Sequence, residues 1–264
     1  MARFPLKYLA PNAITCASMT LGMVSMLHAI EGEFVTATWL IMLCVLFDKA
    51  DGSVARALNA SSEFGIQLDS FSDSITFGVA PAVLIHQMLS DPTVGGGIFT
   101  EDRVMLWILR LTVVLYVLAG CLRLAKFNVM AVDESGPGHF LGFPTTLCGA
   151  LLGAWILTSM KYEWAPVTLH VLPAVLAAMS FLMVSNVPLP KARLPKSRLL
   201  RFPLIASVVS IYYCGLTWTA PEFLLAMGSL FTVFGVIYGA LYLRPRSSDP
   251  DNEDGEMDSV EEIA

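Results

Sequence analysis

Hydrophobic positions along the chain fall into eight runs, separated by short stretches rich in charge, glycine or proline. Their bounds are roughly 13–30, 34–57, 66–90, 104–127, 143–160, 165–186, 203–219 and 221–243. A helix of about 20 mostly apolar residues, rising 1.5 Å each, spans a bilayer. The fifth and seventh runs are shorter than the others. Pro11, Pro144, Pro203 and Pro221 stand near predicted helix starts, where a missing N–H costs least. The first run follows only Arg3 and Lys7 and lacks a small-residue cleavage site, so it reads as a retained span. The pattern predicts an all-α polytopic membrane protein with about eight transmembrane helices.

Composition and charge sharpen that picture. Hydrophobic residues make up 55% of the 264, and only 14% are charged, against about a quarter in an ordinary soluble domain. The net charge of −6 is concentrated at one end: residues 247–264 hold eight acids and no base. The remaining chain carries 16 bases against 14 acids. The expected organisation is a transmembrane domain over 1–246 and an acidic, disordered cytoplasmic tail over 247–264. With the N-terminus in the cytoplasm, thirteen Lys and Arg residues fall on that side. Only Arg103 and Lys161 fall opposite, a strong positive-inside bias. The basic run 187–201 becomes a cytoplasmic loop suited to anionic headgroups or simply to fixing topology. Five cysteines lie singly, without metal-ligand or disulfide spacing, and four histidines are scattered. No nucleic-acid partner is expected.

One polar stretch departs from the rest. "DKADGSVARALNASSEFGIQLDSFSD", Asp48 through Asp73, places four aspartates between the second and third runs. Asp48 and Asp51 lie three apart at the end of one helix; Asp69 and Asp73 lie four apart at the start of the next. Each spacing puts its pair on one helix face. The turn-rich "LNASSEFG" makes the two helices antiparallel neighbours, so all four carboxylates converge at the cytoplasmic surface. Such a cluster needs positive charge, of which Lys49 and Arg56 supply part. Oxygen-only ligands suit Mg²⁺ or Mn²⁺, and carboxylates shared by two ions clamp a transferring phosphoryl group. Gly52, Ala55 and Gly65 would let a bulky ligand approach the backbone.

The stretch resembles the signature of the CDP-alcohol phosphatidyltransferase family, D-x2-D-G-x2-A-R-x8-G-x3-D-x3-D. Asp48, Asp51, Gly52, Ala55, Arg56, Gly65, Asp69 and Asp73 match it at every spacing. The resemblance implies a core of six transmembrane helices, a homodimer and two Mg²⁺ or Mn²⁺ ions. It also implies metal ligation by Asp48, Asp51, Asp69 and Asp73, with Asp73 as general base. Gly52, Ala55, Gly65 and Arg56 would lie along the cytidine nucleotide or its diphosphate.

Further stretches resemble the family's integral-membrane serine O-phosphatidyltransferase branch: "PNAIT" (11–15), "LDSFSDSITFGVAPAVL" (68–84), "CLRLAKFNV" (121–129) and "FLGFPTT" (140–146). The branch implies CDP-diacylglycerol and L-serine as substrates, at the cytoplasmic face of a bacterial inner membrane. Lys126 replaces the branch's usual Arg, keeping the charge without the fork. Arg123, Lys126 and Asn128 are the candidate acceptor-binding residues. Glycerol phosphate, inositol phosphate, choline or an archaeal-type donor are the competing substrates. A cation transporter is the reading from another class, but the acids lie at one surface and no repeat is visible.

Overall fold

The computed structural model describes residues 6–95, 97–132, 140–164, 168–185, 187–189 and 198–242. The expected acidic tail (247–264) and most of the basic loop (190–197) lie outside the described residues. After a short 3₁₀ turn (Leu6–Tyr8) come α1 (Leu9–Ile30) and α2 (Phe34–Ala57). Then α3 (Glu63–Asp73) passes through a π-helical segment, Ser74–Val79, into α4 (Ala80–Ser90). Two short helices, α5 (Pro92–Gly95) and α6 (Ile98–Glu101), precede α7 (Arg103–Val132) and α8 (Thr145–Lys161). The last described helices are α9 (Leu172–Val184), α10 (Arg198–Thr217) and α11 (Pro221–Tyr242). One short antiparallel pairing joins β1 (Phe140–Leu141) to β2 (Pro188–Leu189).

Taking α3 to α4 as one stretch, eight long helical segments among the described residues coincide with the eight apolar runs. Glu63–Ser90, Leu9–Ile30, Arg103–Val129 and Pro221–Tyr238 are long and apolar enough to cross a membrane, and Leu169–Val184 and Ile205–Thr217 are shorter apolar helices. The fold is that of a polytopic helical membrane protein. Several starts differ from expectation, α1 beginning at Leu9 and not at 13 and α9 at Leu172 and not at 165. Ser62 caps α3 by accepting a hydrogen bond from the Gly65 N–H at 3.0 Å, so the helix begins at Glu63 and not at 66. α10 begins at Arg198, ahead of Pro203. The short α5 and α6 in the far loop carry no hydropathy signal.

Packing in the bundle runs on small residues. The buried face of α1 is Pro11, Thr15, Ser18, Gly22, Ser25 and Ala29, while Leu9, Met23, Leu27 and Ile30 face outward. That inversion suits lipid, where apolar side chains gain nothing from leaving the surface and small ones let backbones approach closely. Ser25 donates to Ala37 O at 2.7 Å, tying α1 to α2. At Gly22 the approach is so close that an added Cβ would lie 2.8 Å from Thr76 Cγ2 and 3.2 Å from its Cα. Gly149 of α8 admits Phe77 in the same way.

The π segment has an identifiable cause. Pro81 has no N–H to offer the carbonyl four residues earlier, that of Phe77, and its ring crowds the same oxygen. The helix widens, with the Ala80 N–H bonding Ile75 O, and the Tyr116 hydroxyl of α7 donates to Phe77 O at 2.9 Å. Both side chains are fully buried. A π turn changes the phase of a helix and recurs at functional sites; this one starts at the residue after Asp73.

Tyr116→Phe should therefore leave a buried carbonyl without its donor, a loss of about 1–3 kcal/mol. Thermal unfolding in detergent should show a midpoint several degrees lower with helix content retained. An unchanged midpoint would show that Phe77 O is satisfied elsewhere.

Candidate active site

The aspartate stretch lies where α1, α2 and α3 meet at one end of the bundle. α2 stays helical through Asp48, Asp51 and Arg56, and the chain then turns at Asn59, whose φ is +48°. Lys7 Nζ donates to Asn59 O at 3.2 Å, holding that turn against the N-terminal segment. The expected packing of the two motif helices on each other occurs mainly deeper, where α2 meets the π segment and α4. Toward the motif end α3 packs mainly on α1, which leaves a cleft between α2 and α3.

Three carboxylates come together at the bottom of this cleft. Oxygens of Asp48, Asp69 and Asp73 all lie within 4.8 Å of one another. Two unit charges at that distance repel by about 3 kcal/mol at an effective dielectric constant of 20. Lys49 Nζ, 2.6 Å from Asp48 Oδ2, supplies one positive charge against three negative ones. The donor set is oxygen alone, close enough to share an ion, and under-neutralised by protein. These residues fit a hard divalent cation.

Asp51 stands apart from that triangle. It is 5% exposed, and its Oδ2 accepts from the Thr15 hydroxyl at 2.7 Å. Its Oδ1 accepts from the Gly52 N–H at 2.6 Å. Each oxygen keeps a further lone pair, and Asp51 lines the same cavity as Asp48 and Asp69. The structure thus gathers three of the four predicted carboxylates tightly and sets the fourth on the adjoining wall.

That cavity, about 430 Å³, receives every other motif residue of the nucleotide set: Gly52, Ala55, Arg56 and Gly65. Thr15, Asn12 and Pro11 of α1 and Phe127 of α7 also line it. A Cβ on Gly65 would sit 3.1 Å from Ser62 Oγ and 3.4 Å from Asn12 Oδ1, so the glycine keeps α3 close to α1. Exposed Arg56 donates from Nη2 to Ser53 Oγ at 3.3 Å and reaches back over Gly52.

The three candidate acceptor residues are placed differently from one another. Arg123 is half-buried, donates from Nη1 to Thr145 Oγ1 at 2.9 Å, and stacks on Phe127 with 5.7 Å from Cζ to the ring centre. It lies within electrostatic reach of Asp73 and Asp48, and its buried Nε has no hydrogen-bond partner among the described residues. Asn128 donates to Ser70 Oγ at 2.9 Å and bridges α7 to α3. Lys126 is exposed. Thr15, Asn12 and Thr145 are site residues that charge and motif spacing did not single out. The first two lie in "PNAIT" and the third in "FLGFPTT", stretches already set apart by resemblance.

Comparison with known proteins agrees with this geometry. The sequence profile of CDP-alcohol phosphatidyltransferases matches residues 8–179. The chain is 31% identical over 232 residues to the CDP-diacylglycerol–serine O-phosphatidyltransferase of Helicobacter pylori (strain 26695), covering 87% of this chain and 90% of that one. It is 32% identical over 183 residues to the archaetidylserine synthase of Methanothermobacter thermautotrophicus, 69% of each chain. Identity to the CDP-diacylglycerol–serine O-phosphatidyltransferase of Bacillus subtilis (strain 168) is 31% over 180 residues, 68% of this chain and 89% of that one.

A cation that relieves the carboxylate repulsion should stabilise the fold by mass action. Adding Mg²⁺ or Mn²⁺ to chelator-treated protein should raise the thermal midpoint. Asp69→Asn should abolish that rise, and in chelator alone its midpoint should equal or exceed that of the unaltered protein. A variant still responding fully to the ion would show that Asp69 does not hold it.

Proposed function

The chain belongs to the CDP-alcohol phosphatidyltransferase family, and from that premise we propose that it transfers a phosphatidyl group from CDP-diacylglycerol to L-serine. The products are phosphatidylserine and CMP. The names of the relatives described above have a seryl headgroup in common, which favours serine over other alcohols. The single observation that carries the mechanism is the position of the carboxylate triangle between the 430 Å³ cavity and Arg123. A donor nucleotide on one side and a small carboxylate-bearing acceptor on the other would meet at Asp73.

In this reading the cytidine and diphosphate of the donor occupy the cavity, against Gly52, Ala55 and Gly65, with Arg56 at the diphosphate. Asp48, Asp51, Asp69 and Asp73 would hold two Mg²⁺ or Mn²⁺ ions, which when bound neutralise the diphosphate and the departing CMP. Thr15 and the Gly52 N–H fix the Asp51 carboxylate, and Lys49 steadies Asp48. Arg123 takes the serine carboxylate, for which a guanidinium fork is well matched, while its Nη1 bond to Thr145 holds it in place. Lys126 and Asn128 flank the same end of α7, Asn128 by bracing α3.

A serine hydroxyl is a poor nucleophile at neutral pH and needs a positioned proton acceptor. Asp73 accepts the hydroxyl proton as the serine oxygen attacks the phosphorus that carries the diacylglycerol. The new P–O bond forms, the bond from that phosphorus to the bridging oxygen breaks, and the electron pair leaves with CMP. Asp73 then returns its proton to solvent. In this reading the chemistry lies at the cytoplasmic face of a bacterial inner membrane, a side that the positive-inside bias supports, and the enzyme acts as a homodimer.

The test uses purified protein in detergent with CDP-diacylglycerol, Mn²⁺ or Mg²⁺, and one candidate alcohol at a time. Serine should release CMP well above buffer; serine no better than buffer would defeat the acceptor assignment. Asp73→Asn should lower kcat by about 10²–10⁴-fold while donor binding, followed by equilibrium dialysis, stays near normal. Arg123→Lys should raise the KM for serine by about tenfold or more with a smaller change in kcat. An unaltered KM would remove Arg123 from the acceptor site.

A further inference from the structure

A second cavity, about 470 Å³, opens between α2, α8, α10 and α11. Its walls include Met42, Val45 and Leu46 of α2, Leu151 of α8, Ile211 of α10 and Met227 of α11. Among the described residues, Ser207 is its one polar lining residue. A space with so few donors and acceptors takes hydrocarbon and excludes headgroups.

Its position relates it to the carboxylates. Val45 lies three residues before Asp48 and four before Lys49, so all three share a face of α2. Tyr212, next to Ile211, lies within electrostatic reach of Lys49 and Asp48. The apolar space therefore starts beside the polar site. Along α10 its lining runs from Ser207 to Gly215, about 12 Å of helix rise. That is most of one leaflet's share of a hydrocarbon core about 30 Å thick.

The outer walls have a further property. α10 and α11 lie wholly beyond residues 8–179, the span matched by the family profile. They close against α2 and α8 and turn what would be an open side of the bundle into a slot.

We infer that this slot takes an acyl chain of the donor lipid while the donor's nucleotide occupies the cavity between α2 and α3. The inference rests on the donor assignment made above. The slot fixes the depth of the glycerol backbone, and hence of the reacting phosphorus, relative to Asp73. The last two helices are thereby part of donor recognition and not only a membrane anchor.

Two measurements test it. The first is made on the full chain in lipid nanodiscs, using a CDP-diacylglycerol analogue that carries a photoactivatable diazirine near the end of one acyl chain. Label should map to peptides containing Ile211 or Met227, and excess unlabelled CDP-diacylglycerol should suppress it while excess phosphatidylcholine should not. Label on other helices, or equal suppression by phosphatidylcholine, would overturn the inference, the latter by showing a bulk-lipid site. In the second, Met227→Trp fills the slot and should raise the KM for a dipalmitoyl donor about tenfold relative to a dioctanoyl one. An unchanged ratio would also overturn it. Unaltered protein that releases no CMP from either donor would remove the donor assignment itself, and this inference with it.

Discussion

Three carboxylates within 4.8 Å of one another, at the rim of an apolar bundle, impose the constraint on which the rest of this molecule depends. Their mutual repulsion has to be carried by the fold until a cation offsets it. Lys49 takes up part of the charge on Asp48, and Arg123 approaches Asp73 and Asp48 from the other side. Asp51 is drawn away from the triangle by Thr15 and the Gly52 N–H, which limits the crowding to three groups. An arrangement that is costly when empty and stable when loaded favours ion binding.

Holding such a cluster requires helices that cannot slide. The small-residue face of α1 provides this, because Thr15, Gly22 and Ser25 place it in close contact with α2 and the π segment at different depths. The π segment adds a second fixture. Pro81 forces it, Tyr116 satisfies the carbonyl it frees, and Phe77 is locked against Gly149. Asp73 therefore sits at the end of a turn whose geometry is fixed by contacts from α1, α7 and α8. Rigid support for Asp73, the proposed proton acceptor, follows from packing that, in lipid, can only be made close through small residues.

The two cavities differ in polarity as the two ends of the proposed donor do. One, edged by Asp48, Asp51 and Asp69, is chemically suited to a charged nucleotide; the other, lined from Met42 to Phe231, to hydrocarbon. α2 lines both, so a single helix carries the polar and the apolar register of the site. The last turns of that helix are where a membrane protein can place charge at modest desolvation cost, since the interface is near.

The eight apolar runs and the eight-position aspartate signature were legible in the sequence. Each rests on local chemistry: run length against bilayer thickness, and spacing against helix repeat. The sequence also implied that Asp48 and Asp51 share a face, as do Asp69 and Asp73. Only the tertiary structure decided that Asp48, Asp69 and Asp73 form the tight triangle while Asp51 turns to Thr15, because that choice depends on where α1 enters. It likewise decided that α2 and α3 part to leave a cleft, that Tyr116 rescues Phe77 O, and that α10 and α11 enclose an apolar slot. Those are contacts between residues far apart in the chain, and no local pattern encodes which faces meet.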